Sequence, residues 1–209
     1  MIIACLHAAE SNIAVFEQSL VQLGVPQVTL QHTLAADLLA AAEQAGGMTP
    51  AITQATLERI HPLCQQADAV IVSCTTLGAA AEGVRFSKPL VRPDAALADE
   101  ALRSSQHLLV LCTAPTTLAS TQALFQQRCG ETQRLQVACV PEAWTQFMAG
   151  DFAACHRSIA DFTLSALAQD STIDCVALAQ SSMSGAQPLI KGVKVLTGPD
   201  ASLRRAIAG

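Results

Sequence analysis

The 209-residue chain is 51% hydrophobic and 14% charged, with a formal net charge of −5 and no Tyr; that apolar content is ample for a sizeable core. An acidic, aromatic-poor chain offers neither a phosphate-neutralising patch nor stacking rings, so nucleic acid is excluded as an expected partner. Charged residues fall well short of the roughly 25% of an average soluble domain, which leaves neutral surface for a second copy to cover, and a homodimer is expected.

Residues 1–6 form an apolar run that predicts a buried strand, and residues 8–12 the polar loop leaving it. Ile13, Phe16, Leu20 and Leu23 space a helix over 13–23, stopped by Gly24 and Pro26. Residues 25–31 alternate around Val28 and Leu30 as a second strand, and 34–45 form an alanine-rich helix closed by Gly46 and Gly47. Thr49 reads as an N-cap with Pro50 at the first position of a helix reaching about residue 66. Residues 68–73 are the third strand, 90–91 a short fourth, and 93–103 a helix. The pattern then begins again, with a strand over 107–112, a helix over 118–129, a strand over 135–140, and helices over 144–150 and 152–169. Strands at 175–179 and 193–196 and a helix at 201–208 finish the chain. Strands alternating with helices predict an α/β fold with parallel sheets, whose ligands bind beyond the carboxyl ends of the strands.

An internal repeat divides the chain. The spacing that separates Cys74 from Gln180 also separates P-D-A-A-L at Pro93 from P-D-A-S-L at Pro199, and a spacing one residue shorter separates Ala9 from Ala114. This predicts two pseudosymmetric lobes, each a short, mainly parallel sheet flanked by helices, with the active site in the cleft between them. Residues 1–97 form lobe 1, with the C-terminal helix 199–209 available to complete it, and residues 98–198 form lobe 2. A single doubly wound sheet is the alternative.

The eight cysteines are spread through apolar runs, so they read as free thiols of a reducing compartment. No C-x-x-C or H-x-x-x-H pattern signals a metal site. No stretch supplies the roughly 18–20 apolar residues of a membrane span, and the first nine residues lack the basic start of a signal peptide. A cytoplasmic protein without a membrane partner is expected. The absence of G-x-G-x-x-G and G-x-x-x-x-G-K leaves dinucleotide and triphosphate binding unsupported.

The stretch D-A-V-I-V-S-C-T-T-L-G, from Asp68 to Gly78, is an apolar strand with a polar ending. Cys74 stands at its junction with a helix, where unpaired backbone N–H groups would lower a thiol's pKa and favour a reactive thiolate. Thr75 and Thr76 add hydroxyl donors suited to a carboxylate. The alternative is that Cys74 is one more small buried residue. The counterpart V-A-L-A-Q-S-S-M-S-G places Gln180, Ser181 and Ser182 at the equivalent turn. Glu10, Ser11 and Asn12 follow the first strand, where two compatible readings stand: contact with a ligand, and Ser11 or Asn12 capping the next helix. His7 ends that strand. His32, His61, His107 and His156 read as structural or solvated, since nothing in sequence pairs them with an acid or a nucleophile.

D-A-V-I-V-S-C-T-T, D-C-V-A-L-A-Q-S-S-M, the T-A-P-T-T-L-A-S-T loop from Thr113 and the two-lobed repeat together resemble the aspartate/glutamate (hydantoin) racemase superfamily. The resemblance covers nearly the whole chain. It implies cofactor-independent chemistry on a small carboxylic acid or amino acid, with one cysteine from each lobe: one removes a proton from the carbon beside a carboxylate, and the other returns it on the opposite face. Cys74 matches the first cysteine, whereas Gln180 replaces the second and, having no titrating proton, can orient a substrate but cannot act as general acid or base. Cys175 lies five residues away, about 16 Å along a strand, and does not restore it.

Three chemistries remain open. In the first, another acid replaces the second thiol, with Glu10, His7 and Cys112 as candidates. In the second, Cys74 acts alone, protonating the enediolate left by decarboxylation of a malonate-type acid, as in relatives resembling arylmalonate decarboxylase. In the third, Cys74 is a nucleophile, as in relatives resembling maleate isomerase. Each needs an anion cradle, for which Thr75, Thr76, Thr116, Thr117, Ser181 and Ser182 are the candidates. The competing class is a non-catalytic carboxylate-binding relative.

Overall fold

In the computed structural model, which describes residues 1–209, the first half runs β1 (Ile2–His7), α1 (Ser11–Leu23), β2 (Thr29–Leu34), α2 (Ala36–Gln44), α3 (Pro50–Gln66), β3 (Ala69–Val72), α4 (Thr75–Gly78) and β4 (Leu90–Val91). Helix α5 (Pro93–Arg103) leads into β5 (His107–Cys112), α6 (Leu118–Gln126), β6 (Arg134–Cys139), α7 (Ala143–Met148), α8 (Phe152–Gln169), β7 (Cys175–Leu178), β8 (Lys194–Thr197) and α9 (Gly198–Ala208). Short 3-10 turns at Ala79–Ala81, Pro115–Thr117 and Ser181–Leu189 follow β3, β5 and β7.

The strands form two four-stranded sheets, ordered β2-β1-β3-β4 and β6-β5-β7-β8. Every pairing is parallel, so the same topology is built twice. The central strands β3 and β7 are buried at every position, as A-V-I-V and C-V-A-L demand of strands covered on both faces. The chain divides into one compact unit of residues 1–96 and 199–209 and another of residues 97–198. No helix is long and apolar enough to cross a membrane.

Each unit has its own core. In the first, Ala4, Leu6, Val70 and Val72 of the sheet pack with Leu38, Ile60 and Leu77 of the helices. In the second, Leu109, Leu111, Val176 and Leu178 pack with Ile159, Met183 and Ile190. Burying each Val, Leu or Ile is worth about 1.5–3 kcal/mol.

The repeat also explains two acidic residues. Asp68, just before β3, accepts the Ile2 N–H at 2.8 Å, and Asp174, just before β7, accepts the N–H groups of Gln106 at 2.8 Å and His107 at 3.3 Å. Each carboxylate anchors the start of a central strand to its neighbour. The aspartates of the two D-x-V motifs are therefore structural.

Two local expectations are corrected. The second strand starts at Thr29, because Val28 N–H closes a turn on the Val25 carbonyl at 3.0 Å and Thr29 is the residue in register with Ile2. At α1, neither Ser11 nor Asn12 caps the helix: Glu10 occupies the cap position and no side chain caps it. Thr49 does cap α3, accepting Ile52 N–H at 3.3 Å.

Candidate active site

β3 delivers Ser73 and Cys74 to the carboxyl end of its sheet, and Cys74 then turns the chain into α4 from an extended conformation. Burial pushes the Cys74 thiol above its ordinary 9.0; the N–H groups of Leu77 and Thr76 and the Thr76 hydroxyl pull it back, and Asp94 adds to the rise. The helix start is thus present as expected, but desolvation outweighs it. Cys74 rests as a protonated thiol, which corrects the expectation of a ready thiolate. Such a group gives a proton more readily than it attacks.

Thr75 and Thr76 are exposed on the first turn after Cys74, and Leu77 and Gly78 are buried beneath it. Gly78 leaves room for Arg92, whose side chain would lie 3.2–3.3 Å from a Cβ there. Arg92 follows β4 and is held by both oxygens of Asp94, at 3.2 and 2.8 Å, and by Glu82. Nothing in the sequence singles out Arg92, although the glycine of C-T-T-L-G leaves the space that it occupies.

On the other side of β3, the first strand contributes His7. It is fully buried, with Nδ1 2.7 Å from Ser73 Oγ and Nε2 2.9 Å from His32 Nδ1. His32 Nε2 in turn lies 3.0 Å from Glu17 Oε1. The strand register brings this about: Cys5 and His32 are direct partners across β1 and β2, and His7 is two residues beyond Cys5 on the same face. Burial, helped by His32, pushes the His7 pKa down to about 4. With both ring nitrogens committed, His7 can act on a ligand only through Ser73. His32, read as unpaired from sequence, is paired with an acid.

Cys5, His7 and His32 each bring a donor atom within 4.8 Å of the others, the kind of cluster that can hold an ion. The facing nitrogens are nevertheless spaced as a hydrogen bond. Two nitrogens about 2.0–2.1 Å from one tetrahedral ion would lie about 3.3 Å apart. The arrangement is read here as a hydrogen-bonded chain.

Glu10 and Ser11 are exposed at the start of α1, while Asn12 is half-buried and its side-chain amide donates to Ser73 Oγ at 3.4 Å. Of the first-loop candidates, Asn12 is the one tied to the strand end that carries Cys74. Ser73 itself, missed as a candidate, is where Asn12 and His7 converge. The signal available in sequence is its place as the polar ending of the apolar run D-A-V-I-V-S-C.

In the second unit, Gln180 occupies the corresponding turn. Its Oε1 accepts from Thr113 N–H at 2.6 Å, Thr113 Oγ1 at 2.9 Å and Ala114 N–H at 3.2 Å. Three donors of the loop after β5 therefore surround an uncharged oxygen, and the amide clips that loop to the end of β7. Thr117 donates to the Ala114 carbonyl at 2.8 Å, whereas Thr116 is exposed. Ser181 and Ser182 are half-buried. Cys112 is buried and its thiol is pushed up by desolvation and by Cys139. Cys175 is also buried, at the start of β7, and pushed up to about 11.

The Ser182 carbonyl accepts from His156 Nε2 at 3.1 Å. That ring lies where a Cβ on Gly185 would be. Gly185→Ala is therefore expected to displace His156 and cost about 1–3 kcal/mol. Urea unfolding of the variant against the parent measures the loss; an unchanged midpoint would show that the ring is not held there.

No protein-family model matches the chain, and no curated protein matches it. Solved structures do. An aspartate racemase homologue from Pyrococcus horikoshii is 14% identical, with 99% of this chain and 97% of that one covered at a TM-score of 0.66. Picrophilus torridus aspartate racemase is 12% identical over 99% and 93%, with a TM-score of 0.69. Allantoin racemase from Klebsiella pneumoniae is 17% identical over 100% and 86%, with a TM-score of 0.70. At these identities the likeness establishes the fold alone: the chain has the two-sheet α/β fold seen in these structures.

Proposed function

We propose that this protein is a cofactor-independent enzyme of the racemase/isomerase type, moving a proton at the carbon beside a carboxylate of a small acid or amino acid through Cys74. The observation that carries this reading is the Cys74 thiol at the carboxyl end of β3, kept protonated by burial yet touched by donors that would steady it once ionised. Thr75 and Thr76, on the same turn, are the groups proposed to receive the carboxylate. The fold shared with aspartate and allantoin racemases supports the reaction class.

Gln180 favours a second reading within the same chemistry. An amide has no titrating proton, and the oxygen of this one is already held by Thr113 and Ala114. Chemistry with one thiol, such as decarboxylation of a malonate-type acid followed by protonation from Cys74, needs no second cysteine. The two readings are separated by incubating amino acids, hydantoins and substituted malonates with the protein in deuterated water and following the α-proton by NMR. Racemase-type chemistry exchanges that proton with the carbon skeleton intact; decarboxylation releases carbon dioxide and leaves one deuterium in the product. Neither signal with any of the three classes would remove the enzyme reading and leave a carboxylate-binding protein.

A further inference from the structure

Ser73, His7, His32 and Glu17 form one unbroken line of hydrogen bonds, from a half-buried hydroxyl beside Cys74 to an exposed carboxylate. Each link holds one hydrogen, so the possible arrangements can be counted. In the first, the Ser73 hydroxyl donates to His7 Nδ1, His7 Nε2–H donates to His32 Nδ1, and His32 Nε2–H donates to Glu17. Both rings are neutral. The second contains one proton more. His32 is an imidazolium that donates to Glu17 and to His7 Nε2; His7 carries its hydrogen on Nδ1 and donates it to Ser73. The Ser73 hydrogen is then released from the chain, and its protein acceptor is the Leu6 carbonyl at a long 3.3 Å. Both arrangements satisfy every link, and they differ in the direction of the bonds along Ser73, His7 and His32.

We propose that Ser73 is a ligand-binding residue of the candidate site whose polarity is set by this chain: proton uptake at His32 reverses the bonds through His7 and frees the Ser73 hydroxyl hydrogen for an anionic ligand. With His32 neutral, that hydrogen is held by His7 at 2.7 Å and Ser73 presents only lone pairs. With His32 protonated, Ser73 accepts from His7 and Asn12 and can donate to a carboxylate more favourably than to Leu6. His7, His32 and Glu17 are positioning residues that act through Ser73.

The surroundings suit this division of labour. His7 is fully buried between β2, β3 and the Phe16 ring of α1, whose centroid is 5.3 Å away, and it stays neutral because burial pushes its pKa down to about 4. His32 faces the Glu17 carboxylate, which stabilises a cation. The remaining titratable neighbour, Cys5 of β1, is pushed up to about 12 by burial and by Glu17 and contributes no charge. Serine and asparagine supply the other contacts and do not titrate.

The identity of the ligand rests on the proposed function, but the reversal does not, and it can be read without any ligand. The full chain, with 15N in its histidine rings, is followed by NMR from about pH 9 to about pH 5, bracketing ordinary histidine titration. His7 is expected to remain neutral while its hydrogen moves from Nε2 to Nδ1, with the same midpoint as protonation of His32. Glu17→Gln is expected to lower that midpoint, because the carboxylate that stabilises the cation is gone. Ser73→Ala removes the acceptor for Nδ1–H, so His7 should hold Nε2–H throughout and the midpoint should fall. A His7 tautomer that stays constant through the His32 titration, or that still switches in Ser73→Ala, would overturn the proposal. Loss of α-proton chemistry with an intact tautomer switch would instead count against the proposed function alone.

Discussion

Cys74→Ala is expected to lower the rate of α-carbon proton transfer by about 10²–10⁴-fold, the usual contribution of a positioned acid or base, equivalent to about 3–5 kcal/mol of barrier. The loss should fall on kcat, because the side chain is proposed to act on the reacting carbon while Thr75 and Thr76 hold the carboxylate. KM should change little. Cys74→Ser preserves the shape but binds its proton far more tightly, so it should leave KM unchanged and recover very little rate. The thiol of Cys74 is raised by burial, and the acid form is therefore the one present at neutral pH. Activity that depends on giving a proton should hold through neutrality and decline only as the pH rises through the elevated thiol value. A rate that survives in Cys74→Ala would assign the chemistry to another residue.

Alkaline pH is expected to cost about 3 kcal/mol of folding stability by about pH 10, from two cysteines alone. Cys5 and Cys175 are fully buried and keep their protons to about 12 and about 11, against an ordinary 9.0. Desolvation is the main cause in both, aided by Glu17 for Cys5; for Cys175, Asp174 and Glu100 push the same way and Lys194 opposes them. Between these values and 9.0 the folded chain binds more protons than the unfolded chain, so stability is complete below about pH 9 and falls as the pH rises. Each thiol contributes about 1.4 kcal/mol per pH unit over that window, a large share of the 5–15 kcal/mol typical of a domain. Urea unfolding at about pH 7.5 and pH 10 measures the loss. Cys5→Ala and Cys175→Ala together should flatten the pH dependence, and an unchanged slope would show that the two thiols are not its source.

The fold was legible because its strands are written as short apolar runs between helices of clear periodicity. His107–Cys112, Pro93–Arg103 and Phe152–Gln169 have the bounds that their residue patterns predict. The parallel arrangement followed from the alternation, and the repeat from Cys74 and Gln180 and from the two P-D-A-x-L starts. β2 was misplaced by several residues, because its start depends on register with β1 and not on its own pattern.

The candidate site was less legible, for reasons that can be named. The environment of Cys74 is a balance between burial and nearby N–H groups, and a linear sequence shows the helix start without showing how deeply the sulfur lies. His32 could not be matched to Glu17 and His7 because their contact runs through a helix and two strands that are distant in the chain. An alternation reading could have placed Cys5 and His7 on one strand face, but not what that face meets. The residue type alone shows that Gln180 has no titrating proton, yet nothing in Q-S-S-M indicates that its oxygen holds the loop after β5.

The account stands most directly on the state of the Cys74 thiol. Mass spectrometry of the Cys74 peptide, after timed alkylation of the native protein with iodoacetamide at a series of pH values, reports that state at this one residue. The account predicts slow alkylation at neutral pH, with a rate that is still climbing as the pH passes the ordinary 9.0 of a free thiol. A rate that has already levelled off below that value would mean a resting thiolate, and would contradict the reading of Cys74 as a proton donor.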